Sequence, residues 1–260
     1  MKRTFYILMS CLAAAAILTA CNSSAKKAEK AAAEKARADS LEQVRIDSIA
    51  AAEMAKKQKD AMDIVATLPE EPVFDIVTNM GTMKVKLYKN TPKHRDNFAK
   101  LAISGYYDSL TFHRVIKGFM IQGGDPYSRD TTNQDKLGQG GPGYTIPAEI
   151  RSENLHKKGA IAAARRGDSA NPMKESSGSQ FYIVQDASTC KQLDGEYTVF
   201  GEVINVTGLK LIDEIAAVPT DRYDKPLNDV RIITIKLDPQ SQPKTDSAPA
   251  AAAPAQKAKQ

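Results

Sequence analysis

Tryptophan is absent from this 260-residue chain, and cysteine and histidine occur only three times each. Each scarcity excludes something. Cys11 lies inside an apolar leader and Cys21 at its end, so Cys190 is alone in the remainder and no disulfide can form within the mature domain. No base lies near Cys190 in sequence, and it reads as an idle thiol. His94, His113 and His156 lack metal-ligand spacing, so neither a metal nor another cofactor is expected. Charge of one sign is also scarce. The net value is +5, much of the positive charge sits in mixed Lys/Glu tracts, and nucleic acid is not expected as a partner. Hydrophobic residues make up 42%, enough for a core, although many are alanines crowded at the two ends. The apolar run from Phe5 to Ala20 is too short and wrongly flanked for a stable transmembrane span.

What is there begins with that leader. Lys2 and Arg3 precede the apolar run, which ends in Leu18-Thr19-Ala20-Cys21. The pattern resembles the lipobox of bacterial lipoproteins, where the signal peptide is cut before a cysteine that then carries lipid. An ordinary secretory signal with an incidental cysteine is the alternative. On the first reading residues 1–20 are the signal peptide and Cys21 is lipidated. Several acyl chains, at about 0.8 kcal/mol per buried methylene, then hold the protein on a membrane of the cell envelope. Asn22 stands where many such proteins carry an inner-membrane retention aspartate, so the resemblance points to the outer membrane. Residues 21–72 are expected to form a charged helical stalk. From Ala25 to Asp63 strong helix formers run without proline or glycine, a reach of roughly 55 Å as one helix. Leu41, Val44, Ile46 and Ile49 keep no strict heptad, which gives little support to a long coiled coil. A monomer is expected. Residues 238–260 lack periodicity and are rich in Pro, Ala and Ser, a composition that predicts a disordered tail.

Between them, residues 73–237 read as one domain. Val73–Thr78 and Met83–Tyr88 flank an Asn79-Met80-Gly81-Thr82 turn and predict a hairpin. Thr91-Pro92 supplies N-cap and N1 of a helix that stops before Gly105, and a second helix runs from about Leu209 to Ala217. Further strands are predicted near Phe112–Ile116, Met120–Gln122, Ala160–Ala164, Gln180–Val184, Thr198–Val203 and Val230–Leu237. Many short strands with two separated helices suggest a closed antiparallel barrel.

The organising stretch is Phe112–Asp125, FHRVIKGFMIQGGD. Alternation puts Phe112, Arg114 and Ile116 on one strand face and His113, Val115 and Lys117 on the other, so His113 is read as structural. Gly118 breaks the run, after which Met120 and Gln122 project together. A guanidinium beside apolar surface is either paired or used. This segment resembles the central motif of the cyclophilins, the cyclosporin-binding peptidyl-prolyl cis/trans isomerases. Three more segments match in order: Gly159–Arg165, Gly178–Ile183 and Leu193–Gly201. Four ordered motifs are far more specific than any one.

The resemblance implies a mainly β fold, a closed eight-stranded antiparallel barrel capped by two helices. It implies Arg114 as the catalytic group, with Phe119, Met120, Gln122, Ala164, Arg165, Gln180, Tyr182, Leu193 and Tyr197 binding a proline-containing polypeptide. Three positions depart from the family: Tyr182 where phenylalanine is usual, Tyr197 where eukaryotic members mostly have histidine, and Gln192 where many have tryptophan. Residues 127–138 and 168–177 are long for the family and could alter access. The chemistry suits these residue types. An X–Pro bond interconverts over a barrier of about 18–20 kcal/mol with no bond broken, so no nucleophile or metal is required. The site needs an apolar slot, donors for the flanking chain, and one group that favours the twisted amide over the planar one. Arg114 could donate to the pyramidal nitrogen or hold the adjacent carbonyl. Two readings follow: an envelope isomerase that assists folding of exported proteins, or a binding module that holds proline segments. Gly138–Gly143 matches G-x-G-x-x-G literally, but Tyr144-Thr145-Ile146-Pro147 follows instead of a helix, so it is a glycine-rich turn.

Overall fold

The computed structural model describes residues 2–242 except 131 and 133; of residues 2–26 and 28 only the helical path is described. Cys21 and its lipobox side chains therefore lie outside the described side chains, and residues 243–260 lie outside the described residues. The chain divides into two compact units, Met1–Lys56 and Lys57–Gln260. Helix α1 (Lys2–Val65) fills the first and ends in the second. Leu41, Val44, Ile46 and Ile49 on it are exposed, whereas Ala61 and Val65 near its end are buried. Among the described residues no helix is long and apolar enough to cross a membrane.

The second unit opens with the hairpin β1 (Val73–Thr78) and β2 (Gly81–Leu87), followed by helix α2 (Pro92–Ile103). Strands β3 (Arg114–Ile116), β4 (Met120–Gly123), β5 (Thr145–Ile146), β6 (Ala160–Arg165) and β7 (Ser176–Val184) come next. A one-turn helix α3 (Ala187–Cys190), β8 (Val199–Val203), helix α4 (Val206–Ala216) and β9 (Ile232–Leu237) complete it. Eight strands pair antiparallel in the order β3-β4-β7-β6-β8-β2-β1-β9, with β5 joined to β7. The expected closed barrel is corrected here: this is a curled, open half-barrel. Its edge strands β3 and β9 form no ladder with each other; one isolated bridge, Thr111 to Arg231, and the backbone bonds Ser109 to Ile232, Ile232 to Leu110 and Phe112 to Val230 span the gap. The chain that faces β9 is the irregular segment before β3, not β3 itself. Phe112 does not continue the strand; it sits fully buried against Phe181, ring centroids 6.2 Å apart, so it does not share a face with Arg114.

Phe98 of α2 centres the core, with Phe74, Tyr107, Phe181 and Phe200 around it at 5.2 to 6.1 Å between ring centroids. Helix α4 buries Gly208, Leu211, Ile212, Ile215 and Ala216, the one-sided spacing of an amphipathic helix. Thr91 makes no side-chain cap on α2. Glu149 does that work, accepting from the amides of Lys93 at 3.2 Å and His94 at 2.9 Å and from His94 Nδ1 at 2.7 Å. Of the expected tail, residues 238–242 are described and are folded onto the domain. Pro239–Ser241 is a 3-10 turn capped by Asp238, Asp238 and Ser241 are buried, and the Ser241 hydroxyl accepts from the Val73 amide at 2.9 Å.

Candidate active site

Register brings the site together. Arg114 pairs with Gln122 across β3 and β4, Gln122 with Tyr182 across β4 and β7, and Tyr182 with Ala162 across β7 and β6. Opposed residues share a face, so the arginine, the glutamine and the phenol form one row. Ile116, Met120 and Val184 form the next row. Gly118, at φ +78°, lets the chain turn between β3 and β4, closed by the Phe119 amide on the Ile116 carbonyl at 3.0 Å. Phe119 is thereby delivered beside Met120.

A second apolar cluster, separate from the Phe98 core, carries this face. Met120, Tyr182, Ala162, Val184, Cys190 and Val199 are buried in it, and Phe119, Ala164, Leu193 and Tyr197 pack against it half-buried. The four expected slot residues, Phe119, Met120, Tyr182 and Leu193, are thus one apolar surface. Cys190 is part of it, and burial pushes its thiol up to about 11, so it stays a thiol.

Polar groups ring this surface in fixed pairs. Gln122 Nε2 donates to Gln180 Oε1 at 3.0 Å, and Gln180 Nε2 donates to the carbonyls of Gly138 and Gly140 at 3.0 and 2.8 Å. Asp125, fully buried, accepts from the amides of Tyr127, Gly138 and Gly140 and so pins the glycine-rich turn. Gly140 has to be glycine there, because a Cβ would fall 2.1 Å from Asp125 Oδ1. Ala164 lies where the β6–β7 register shifts between Ala163 and Arg165, a bulge that takes its backbone out of the ladder. The Arg165 side chain, 5% exposed, lies 4.4 Å from the Tyr197 ring centroid, donates to the Glu196 carbonyl and pairs with Asp168. It braces the loop that carries Tyr197.

Arg114 is 44% exposed, with Nε 3.4 Å from the Asp224 carboxylate. Its guanidinium is therefore loosely paired and still reachable from solvent. The polar tip of Tyr182 goes to His156 Nε2 at 2.8 Å, and His156 Nδ1 lies 2.8 Å from Asp194 Oδ1. No sequence pattern gives a role to Asp125, His156, Asp194 or Asp224, yet each supports the site through a partner distant in the chain. The two long loops meet at a cleft of about 670 Å³ that shares Gln122, Ala164 and Gln180 with the site and is lined by Tyr127, Arg166 and Glu175 among others.

Residues 73–237 match the family described as cyclophilin type peptidyl-prolyl cis-trans isomerase/CLD. The chain belongs to this family. It is a cyclophilin-type peptidyl-prolyl cis-trans isomerase. A Neurospora crassa peptidyl-prolyl cis-trans isomerase-like 1 is 39% identical over 163 residues, 62% of this chain and 91% of the relative. A Helicobacter pylori peptidyl-prolyl cis-trans isomerase is 40% identical over 142 residues, 54% of this chain and 77% of that protein. The crystal structure of a Cryptosporidium parvum cyclophilin type isomerase superposes with a TM-score of 0.56 at 32% identity, covering 65% of this chain and 98% of the other. A second crystal structure of the parasite cyclophilin, in the presence of the dipeptide Ala-Pro, gives 0.55 at 33% identity, with 64% and 98% covered. Family membership decides between the two readings left open by the sequence in favour of the enzyme.

Proposed function

We propose that the domain catalyses X–Pro isomerisation in exported polypeptides at the bacterial cell envelope, tethered through a lipidated Cys21, with Arg114 as the acting group. One observation carries the catalytic part: the Arg114–Gln122–Tyr182 row stands over the single apolar surface of Phe119, Met120, Tyr182 and Leu193. The ring of proline fits that surface, and Gln122 with the freed Ala164 backbone offers donors and acceptors to the flanking chain. Arg114, 44% exposed, stands in the same cross-strand row as Gln122 and Tyr182. When the amide twists, its nitrogen becomes pyramidal and gains a lone pair. A guanidinium hydrogen bond is then worth more in the twisted than in the planar state, about 1.5–3 kcal/mol or ten- to hundredfold in rate. Exclusion of water and positioning of the peptide supply the remainder. The parasite relative studied with Ala-Pro supports a proline-bearing ligand for the same fold.

NMR exchange spectroscopy on a proline peptide measures binding and interconversion in one sample. Added wild-type protein is expected to accelerate exchange, and binding without acceleration would defeat the catalytic assignment. The tether rests on the Leu18–Cys21 pattern. In Cys21→Ala the protein is expected to leave the washed membrane fraction or to stay unprocessed. Processing and membrane retention equal to wild type would remove the lipid anchor from the proposal.

A further inference from the structure

The site has two walls from separate parts of the chain. Tyr182 stands on β7, while Leu193 and Tyr197 stand on the segment between α3 and β8, where no ladder bond ties them to the sheet. The walls touch directly, Tyr182 meeting Tyr197 edge-on at 5.9 Å and 82°, and one buried side chain contacts both rings. The His156 ring, wholly buried, stacks on Tyr182 at 5.9 Å and 8° and meets Tyr197 edge-on at 6.5 Å and 90°. Asp194, next to Leu193, accepts from the His156 amide and from its Nδ1, both at 2.8 Å.

The carboxylate fixes the tautomer. Asp194 accepts only, so Nδ1 carries the proton and Nε2 is left as an acceptor for the Tyr182 hydroxyl at 2.8 Å. Both His156 ring nitrogens and the Tyr182 hydroxyl then have a partner, which is what a buried network needs to be rigid. Charge agrees with this pattern. Burial pushes the His156 imidazole below its ordinary range, partly offset by Asp194, so the ring is neutral at pH 7. Burial raises the Asp194 carboxyl, but hydrogen bonds from the His156 amide and ring outweigh it and keep it ionised. A phenylalanine in place of Tyr182 would leave Nε2 with nothing to accept.

We infer that His156 is a positioning residue of the isomerase: it locks the Leu193–Tyr197 wall to the Tyr182 floor and so sets the width of the proline slot. This rests on the reading of that apolar surface as the proline site. His156 touches no substrate. Its effect is on how well the slot is preorganised, which appears in peptide affinity more than in the rate of the bound peptide.

The test uses wild type, His156→Phe, which keeps a ring and loses both nitrogens, and Asp194→Ala, whose side chain is one-quarter exposed and whose loss the fold tolerates better. Nitrogen-15 NMR reads the tautomer, and peptide titration with exchange spectroscopy reads Kd and interconversion. The wild-type ring is expected to be neutral with its proton on Nδ1 at pH 7. Both variants are expected to raise the peptide Kd by about five- to twentyfold while the bound peptide's exchange rate falls less than about threefold. A lower melting temperature with an unchanged Kd in either folded variant would reduce His156 to a structural residue and overturn the inference. So would a proton on Nε2 in the wild type. A wild type that binds the peptide without accelerating exchange would defeat the proposed catalysis alone, and the Kd comparison would still decide the role of His156.

Discussion

Odd and even residues of β7 look into surroundings built on different rules. Phe181 points into an apolar interior and meets Phe98, Tyr107 and Phe112 edge-to-face at 5.5, 5.6 and 6.2 Å. Gln180 and Tyr182, its neighbours, point to the site and end in directed hydrogen bonds to Gln122, the glycine-rich turn and His156. The inner face is held by shape and burial, which are non-directional and large. The site face adds to its own apolar cluster bonds of fixed angle and length, which position groups more than they stabilise them. One strand therefore separates the question of whether the domain folds from the question of what it does.

The largest effect is expected from breaking the inner face. Phe181→Ala removes three ring contacts at a site 1% exposed, and is expected to cost about 3–5 kcal/mol in urea unfolding. A loss under about 1 kcal/mol would mean that the core collapses around the gap. Breaking the outer face has another signature. Arg114→Ala is expected to leave the fold intact and lower turnover about ten- to a thousandfold, with a much smaller change in peptide affinity. Arg114→Lys is expected to recover little, because an ammonium lacks the planar fork. Full exchange by a folded Arg114→Ala protein would take Arg114 out of the mechanism.

Acid sharpens the contrast through His113, a buried residue next to Arg114 in sequence. Burial pushes its imidazole down to about 4 from the ordinary 6.5, against the raising influence of Asp125 and Thr111. The unfolded chain therefore takes up a proton first as pH falls. Stability from this group is whole above about 6.5, declines between 6.5 and 4, and is lost by about 3 kcal/mol at most. The check is unfolding at pH 7 and 4.5 in wild type and His113→Leu, where the variant's curve should be flatter. Equal slopes would contradict it. The smallest effect belongs to Asp224→Ala. Its pair with Arg114 is 3.4 Å long and nearly half-exposed on both sides, so stability should change by less than about 1 kcal/mol and exchange by less than about threefold. A tenfold loss of exchange would promote Asp224 to a residue that orients the guanidinium.

The parts of the site legible in the sequence are those set by local alternation. Met120 and Gln122, two apart on one strand, do project together, and Tyr182 joins them because β7 is regular there. Alternation failed at Phe112, since period two holds only while the ladder continues, and the ladder starts at Arg114. The supporting partners were not legible for a different reason. His156 reaches Tyr182 across 26 residues and Asp194 across 38, and Asp224 meets Arg114 from a loop far along the chain. Nothing periodic links such positions. The same holds for Glu149 at the start of α2, where Thr91 looked sufficient as a cap. Strand number alone does not state whether the two edges of a sheet meet, and here β3 and β9 form no ladder.

The pairing of β1 with β9 has a consequence in time. Phe74 to Thr78 hydrogen-bonds to β2 on one side and to Ile232–Leu237 on the other, so the domain's first strand waits for its last. As the polypeptide grows, the β1–β2 hairpin forms early and carries an open edge with Phe74 and Ile76 uncovered. That edge stays available to any other extended chain until almost the whole domain has been made. The sheet is completed only by the last strand, a topology rich in contacts between residues distant in sequence, which slows folding. An isomerase of prolyl bonds is itself a slow-topology chain, its sheet incomplete until the final strand pairs.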